Sequence, residues 1–250
     1  MAEHTAHSPL TQFEIEQMIP MPHLFGHNVD FTNSSIFMVL AVVCAVFFLL
    51  GGIHRGALVP GRWQSMVEIY YEFIGNLVRE NIGPKGRAYF PFIFCLFTFL
   101  LFANLLGMIP HSFTITSHIA VTFTMAVIIF IGATVIGFAK HGLHYFHMFI
   151  PEGAPKVMLP LLFLIELMSY LARPITLSLR LAGNMMAGHV LLKVVGGFVP
   201  MMMSQFVLLA AFPMALLLVF IGFEFLVAAL QAYVFSLLVC IYLNDAINMH

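Results

Sequence analysis

The chain has 250 residues, of which 61% are hydrophobic and 8% are Asp, Glu, Lys or Arg, with a formal net charge of −1 at pH 7. Soluble domains average roughly 25% charged and roughly 45–50% apolar residues. The composition therefore excludes a soluble globular enzyme, a disordered chain, a nucleic-acid binder and a disulfide-rich secreted domain, and points to a protein that crosses a bilayer several times.

Residues 1–33 contain acids but no Lys or Arg. They lack the basic start of a signal peptide, and Glu14 and Glu16 fall where its apolar region would lie; the missing Arg also argues against an organellar transit peptide. A membrane span needs about 20 apolar residues. Ser34–Ile53 is free of charge and ends at His54-Arg55, which sets a first spanning segment at 34–54. Residues 55–88 follow with Arg55, Arg62, Arg79, Lys85 and Arg87. Inside that segment, Trp63, Met66, Val67, Tyr70, Phe73, Ile74 and Leu77 recur at helical spacing, with Glu68, Glu72, Asn76 and Arg79 on the other face. Residues 62–82 thus read as an amphipathic helix, either flat on the membrane surface or packed on other protein.

Residues 89–140 form a hairpin of two spans, about Tyr89–Pro110 and Ser117–Ala139, and 141–154 is a polar connection. Residues 155–250 hold two long apolar stretches, Pro155–Val195 and Met201–Leu243, with Gly196-Gly197-Phe198-Val199-Pro200 expected as the turn between them. Forty helical residues cover about 60 Å, against a hydrocarbon core near 30 Å. Neither stretch has a polar turn at its middle, so both are expected as single long, steeply tilted helices that need protein neighbours. The expected fold is an all-α integral membrane protein of about five membrane-embedded helices plus the interfacial helix. Basic residues place 55–88 in the cytoplasm, hence the N-terminus outside and the C-terminus inside. Cys44, Cys95 and Cys240 lie in apolar runs without metal or disulfide spacing, and are expected as buried small hydrophobes.

Ionisable residues within spans mark function. Here they concentrate at the end of the chain: Glu166, Arg173, Arg180, His189, Lys193 and Glu224. On one helix, Glu166, Arg173, Arg180 and Asn184 share a face, with His189 and Lys193 opposite; Glu224, Gln231 and Tyr242 share a face of the next. Arg180 lies about 21 Å from Glu166 along the helix, near mid-membrane, and cannot deprotonate. No acid lies one turn away, so it either pairs with Glu224 or faces an ion path. His189 and Glu224 can both exchange protons, and Asn184 and Gln231 supply polar neighbours; a satisfied core histidine is the bland alternative for His189. Lys193 can snorkel to the membrane edge. Arg173, before Pro174, is open in role. His141, His144 and His147 have a spacing compatible with a helix face, but a metal role is disfavoured next to Gly142.

The run Thr176-Leu177-Ser178-Leu179-Arg180-Leu181-Ala182-Gly183-Asn184-Met185 closely resembles the signature of subunit a of the F-type ATP synthases. Asn104-Leu105-Leu106-Gly107-Met108-Ile109-Pro110, the Glu224/Gln231 pair and Glu166 also match that family's pattern, and the resemblance covers essentially the whole chain. It implies a proton-channel stator subunit with no cofactor, partnered by a c-ring, by peripheral-stalk b-type subunits and by the lipid bilayer, in a bacterial inner membrane. Arg180 would face the rotor carboxylate and separate two half-channels. His189, Glu224, Asn184 and Gln231 would line the outer half-channel, and Glu166 the exit. Family members vary by exchanging acid and His between the positions of His189 and Glu224. No GxxxxGK[ST] phosphate loop is present, so the chain is not expected to make ATP itself. Two other readings compete: a redox-complex subunit holding haem or quinone, which needs facing intramembrane His ligands, and a membrane assembly protein without transport.

Overall fold

The computed structural model describes residues 17–19, 31–53, 60–109, 112–142, 144–145, 158–203 and 207–248. Most of these lie in six helices: α1 (Asn33–Ile53), α2 (Arg62–Ile82), α3 (Phe90–Gly107), α4 (Ile119–His141), α5 (Leu159–Met203) and α6 (Val207–Ile247). All but α2 are long and apolar enough to cross a membrane. The all-α membrane fold is thus the one that composition predicts. A small addition precedes α1, where β1 (Gln17–Ile19) pairs antiparallel with β2 (Phe31–Thr32), Gln17 opposite Thr32 and Ile19 opposite Phe31. The expectations for His54-Arg55 and His147, and for most of 1–33, lie outside the described residues.

One boundary is corrected. Gly196–Pro200 is not a turn, because α5 continues through it to Met203 and α6 starts at Val207. Away from water the backbone has no other hydrogen-bond partners, so the helix tolerates glycines there. Pro200 forfeits only the bond to the Gly196 carbonyl, in the helix's final turn. The cysteine expectation is corrected too: Cys240 is buried and Cys44 partly so, but Cys95 is exposed. α3 is apolar all round, so no periodicity marks which face turns inward.

The chain divides into two compact units. The first takes residues 1–46, 99–118 and 182–232. Its core includes Ala41 and Ala45 of α1, Leu100 and Ala103 of α3, and Ala182, Ala228 and Ala232 from α5 and α6. Small side chains let helices approach closely and gain contact without a hydrophobic driving force between them. In the loop from α3 to α4, Phe113, Thr114, Ile115, Thr116 and Ser117 are all buried.

The second unit takes residues 47–98, 119–181 and 233–250. Within it α2 buries Val67, Ile74, Leu77, Val78 and Ile82. Trp63 Nε1 donates to the Phe48 carbonyl of α1 at 3.2 Å, and Tyr70 OH donates to Thr98 Oγ1 of α3 at 2.8 Å. Burial pushes the Tyr70 phenol up to about 12, partly offset by the Thr98 hydrogen bond. α2 therefore packs on protein along one stripe while Met66, Ile69 and Phe73 stay exposed beside it. Gly83 ends the helix with φ of 78° and returns its N–H to the Arg79 carbonyl.

Candidate functional site

The first unit gathers four of the six residues singled out from sequence. Gly188 and His189 lie on α5, and Glu224 on α6. His189 Nδ1 stands 3.7 Å from Glu224 Oε1, and the two side chains are only 11% and 6% exposed. Beside them runs a groove of about 530 Å³, lined by Asn184, Gly188, Leu191, Phe220, Glu224 and Gln231, among others. Its polar lining is two amides and a carboxyl group, and the rest is aliphatic and aromatic.

Local sequence explains the closeness. Gly188 has no side chain, and a Cβ built there would meet Glu224 Oε1 at 2.5 Å, Cδ at 3.0 Å and Cγ at 3.2 Å. The carboxyl group occupies the space a larger residue would fill. Neither Glu224 oxygen has a hydrogen-bond partner among the described residues. Buried polar groups are normally paired, so each exception calls for an explanation such as a functional role. The other ring nitrogen, His189 Nε2, lies 2.9 Å from Thr114 Oγ1 in the buried loop after α3. Deeper in the same unit, Asn104 Nδ2 donates to the Ala228 carbonyl at 3.0 Å.

Arg180 and Glu166 belong to the second unit. Arg180 is exposed and Glu166 half-buried. Among the described residues Arg180 makes no salt bridge, and the ionisable partner of Glu224 is His189. Arg173, left open by the sequence, has a defined place. Its Nη1 bonds Asp245 Oδ2 at 2.8 Å, and its guanidinium lies 5.3 Å from the Tyr170 ring and 5.1 Å from the Tyr242 ring. Tyr170 OH continues the network to Thr134 Oγ1 at 2.6 Å and to Tyr145 OH at 3.0 Å. At the end of α4, His141 Nε2 lies 3.3 Å from the Ile247 carbonyl, and His144 just beyond is exposed.

Sequence reasoning missed Thr114, Gly188, Asp245 and the tyrosine network. Thr114 sits in a loop without periodicity, and Gly188 carries no chemistry. Asp245 lies 72 residues from the arginine it pairs with. Only the general rule that an arginine within a membrane helix needs a partner could have pointed to it.

The ATP synthase A chain family matches residues 34–244. The chain is 51% identical over 246 residues to ATP synthase subunit a of Paramagnetospirillum magneticum, covering 97% of this chain and 99% of that one. It is 53% identical over 244 residues to ATP synthase subunit a of Rhodospirillum rubrum, covering 98% of this chain and 100% of that one.

Proposed function

The chain belongs to the ATP synthase A chain family, and we propose that the His189–Glu224 pair and its groove form the outer of two proton half-channels. As a member of that family it is a proton-translocating stator subunit, an integral membrane component of the ATP synthase. One observation carries the half-channel reading: a buried carboxyl group, unbonded at both oxygens among the described residues, faces an imidazole at 3.7 Å beside a groove that Asn184 and Gln231 line. Both groups can take and give protons, and the amides can bond to whatever passes between them.

Arg180 then separates this half-channel from the exit, which Glu166 lines. A rotor carboxylate crosses the lipid face at reasonable cost only when protonated. Opposite the permanent charge of Arg180 it is ionised and gives up its proton. Each proton crossing delivers about 2.3 kcal/mol per 100 mV, and offset half-channels turn that into rotation. The subunit conducts and does not catalyse. Its partners are the c-ring, peripheral-stalk b-type subunits and the bilayer. The N-terminus faces outward and the C-terminus the cytoplasm, across a bacterial inner membrane. At 1.5 Å per residue, α5 is about 68 Å long, so it tilts steeply to stay within a hydrocarbon core of about 30 Å.

The test is exchange of the pair. His189→Gln and Glu224→Gln singly should each abolish proton-driven ATP synthesis in reconstituted complexes, and the double exchange His189→Glu with Glu224→His should restore part of it. Single variants with normal rates would overturn the assignment.

A further inference from the structure

We infer that Thr114 is a positioning residue, which fixes the tautomer of His189 so that its proton-accepting nitrogen faces Glu224. The inference rests on the proton-path reading of the pair.

Thr114 is 2% exposed, and its hydroxyl reaches two groups: the Gly107 carbonyl at 3.3 Å and His189 Nε2 at 2.9 Å. A hydroxyl has one proton to donate and lone pairs to accept with. Gly107 is the last residue of α3, where helix carbonyls lack a partner within the helix. The other hydroxyl near it, Ser112 Oγ, lies closer to the Leu106 and Ile109 carbonyls, both at 2.7 Å, than to Gly107 at 3.1 Å. The Thr114 proton therefore goes to Gly107, and its oxygen accepts from His189 Nε2–H.

That leaves Nδ1 as the bare nitrogen of the neutral ring, and Nδ1 is the atom 3.7 Å from Glu224 Oε1. The opposite tautomer would aim an N–H at the carboxyl group and could take no proton from it. With Nε2–H held, transfer has one route. The Glu224 O–H bond breaks as an Nδ1–H bond forms, leaving an imidazolium facing a carboxylate, and the reverse step restores both neutral groups. The 3.7 Å gap must close by under an ångström for that step, as hydrogen bonds at resting sites commonly do. Lys193 lies one turn beyond His189 on α5 and is the cation nearest to it along that helix. The loop contributes a hydroxyl rather than a charge, so it orients the ring without competing for the proton.

The experiment uses whole ATP synthase in proteoliposomes, with 15N-labelled histidine for solid-state NMR. The His189 signals are identified by their loss in His189→Gln. Wild type should show a protonated Nε2 and a bare Nδ1. Thr114→Val keeps the shape but removes the hydroxyl. It should mix the tautomers and slow proton-driven ATP synthesis about tenfold, the weight of one hydrogen bond to a group that becomes charged. Thr114→Ser should restore both tautomer and rate to within about twofold of wild type. A wild-type ring protonated at Nδ1 overturns the inference without any variant. So does a normal rate in Thr114→Val while His189→Gln is inactive. A normal rate in His189→Gln overturns the proton-path reading itself, and this inference with it.

Discussion

Gly188→Ala is the smallest change that tests whether the Glu224 position matters. The new methyl carbon would lie 2.5 Å from Glu224 Oε1, and 3.0 and 3.2 Å from Cδ and Cγ. Carbon atoms in ordinary contact sit at about 3.5 Å or more, so the carboxyl group must retreat by roughly 1 Å. It has little room, since Glu224 is 5% exposed. Overpacking of this kind costs about 1–3 kcal/mol. If that cost falls on the proton-exchanging geometry rather than on folding, each 1.36 kcal/mol is a factor of ten in rate, which predicts a slowing of between about 5-fold and about 150-fold. ATP-driven acidification of inverted vesicles, normalised to assembled complex, measures it. Adding Glu224→Asp shortens the acid by one methylene and should recover part of the rate. A Gly188→Ala complex that assembles and pumps at the wild-type rate would refute the argument from packing.

Three further outcomes follow. Arg173→Met removes the Asp245 bond and both ring contacts, and should lower stability of the solubilised subunit by about 1–2 kcal/mol, read as a fall in thermal midpoint. Arg173→Lys keeps the charge without the planar stacking and should fall between that variant and wild type. Tyr70 titrates late because burial favours its neutral form, at about 12 against an ordinary tyrosine's 10.0. Folding therefore holds the Tyr70 proton more tightly than the unfolded chain does. The stability this contributes is complete below pH 10 and is lost as pH rises towards 12. Alkaline absorbance titration should lose one late-titrating phenol, the one near 12, in Tyr70→Phe.

The sequence made the helices legible because each obeys a rule that needs no partner. α1 is a run of apolar residues between polar ends, and α2 follows a strict amphipathic period from Arg62 to Ile82. The end of α5 was misread because Gly and Pro break helices in water, whereas an apolar surrounding holds the backbone to its own hydrogen bonds. The site residues with charge or amide groups stood out because such groups are costly inside a membrane. What remained hidden depends on tertiary approach. Thr114 is one hydroxyl among several in a loop, and only the fold brings it to His189. Gly188 matters through the volume it leaves empty. Cys95 could have faced either way on a helix without a polar side. The partner of Arg173 lies on a different helix, and no spacing rule links the two.

Arg180 is the centre of the account, as an exposed, permanently charged residue without a salt bridge among the described residues of a membrane-embedded chain. The most direct measurement compares wild type with Arg180→Ala in inverted vesicles, recording ATP-driven proton pumping and the passive proton leak after the ATPase sector is stripped. Lost pumping together with a leak that appears only when the rotor ring is present is the predicted result, because removing the charge joins the half-channels through the rotor site. Undiminished pumping with no added leak would contradict it and leave Arg180 as a structural charge.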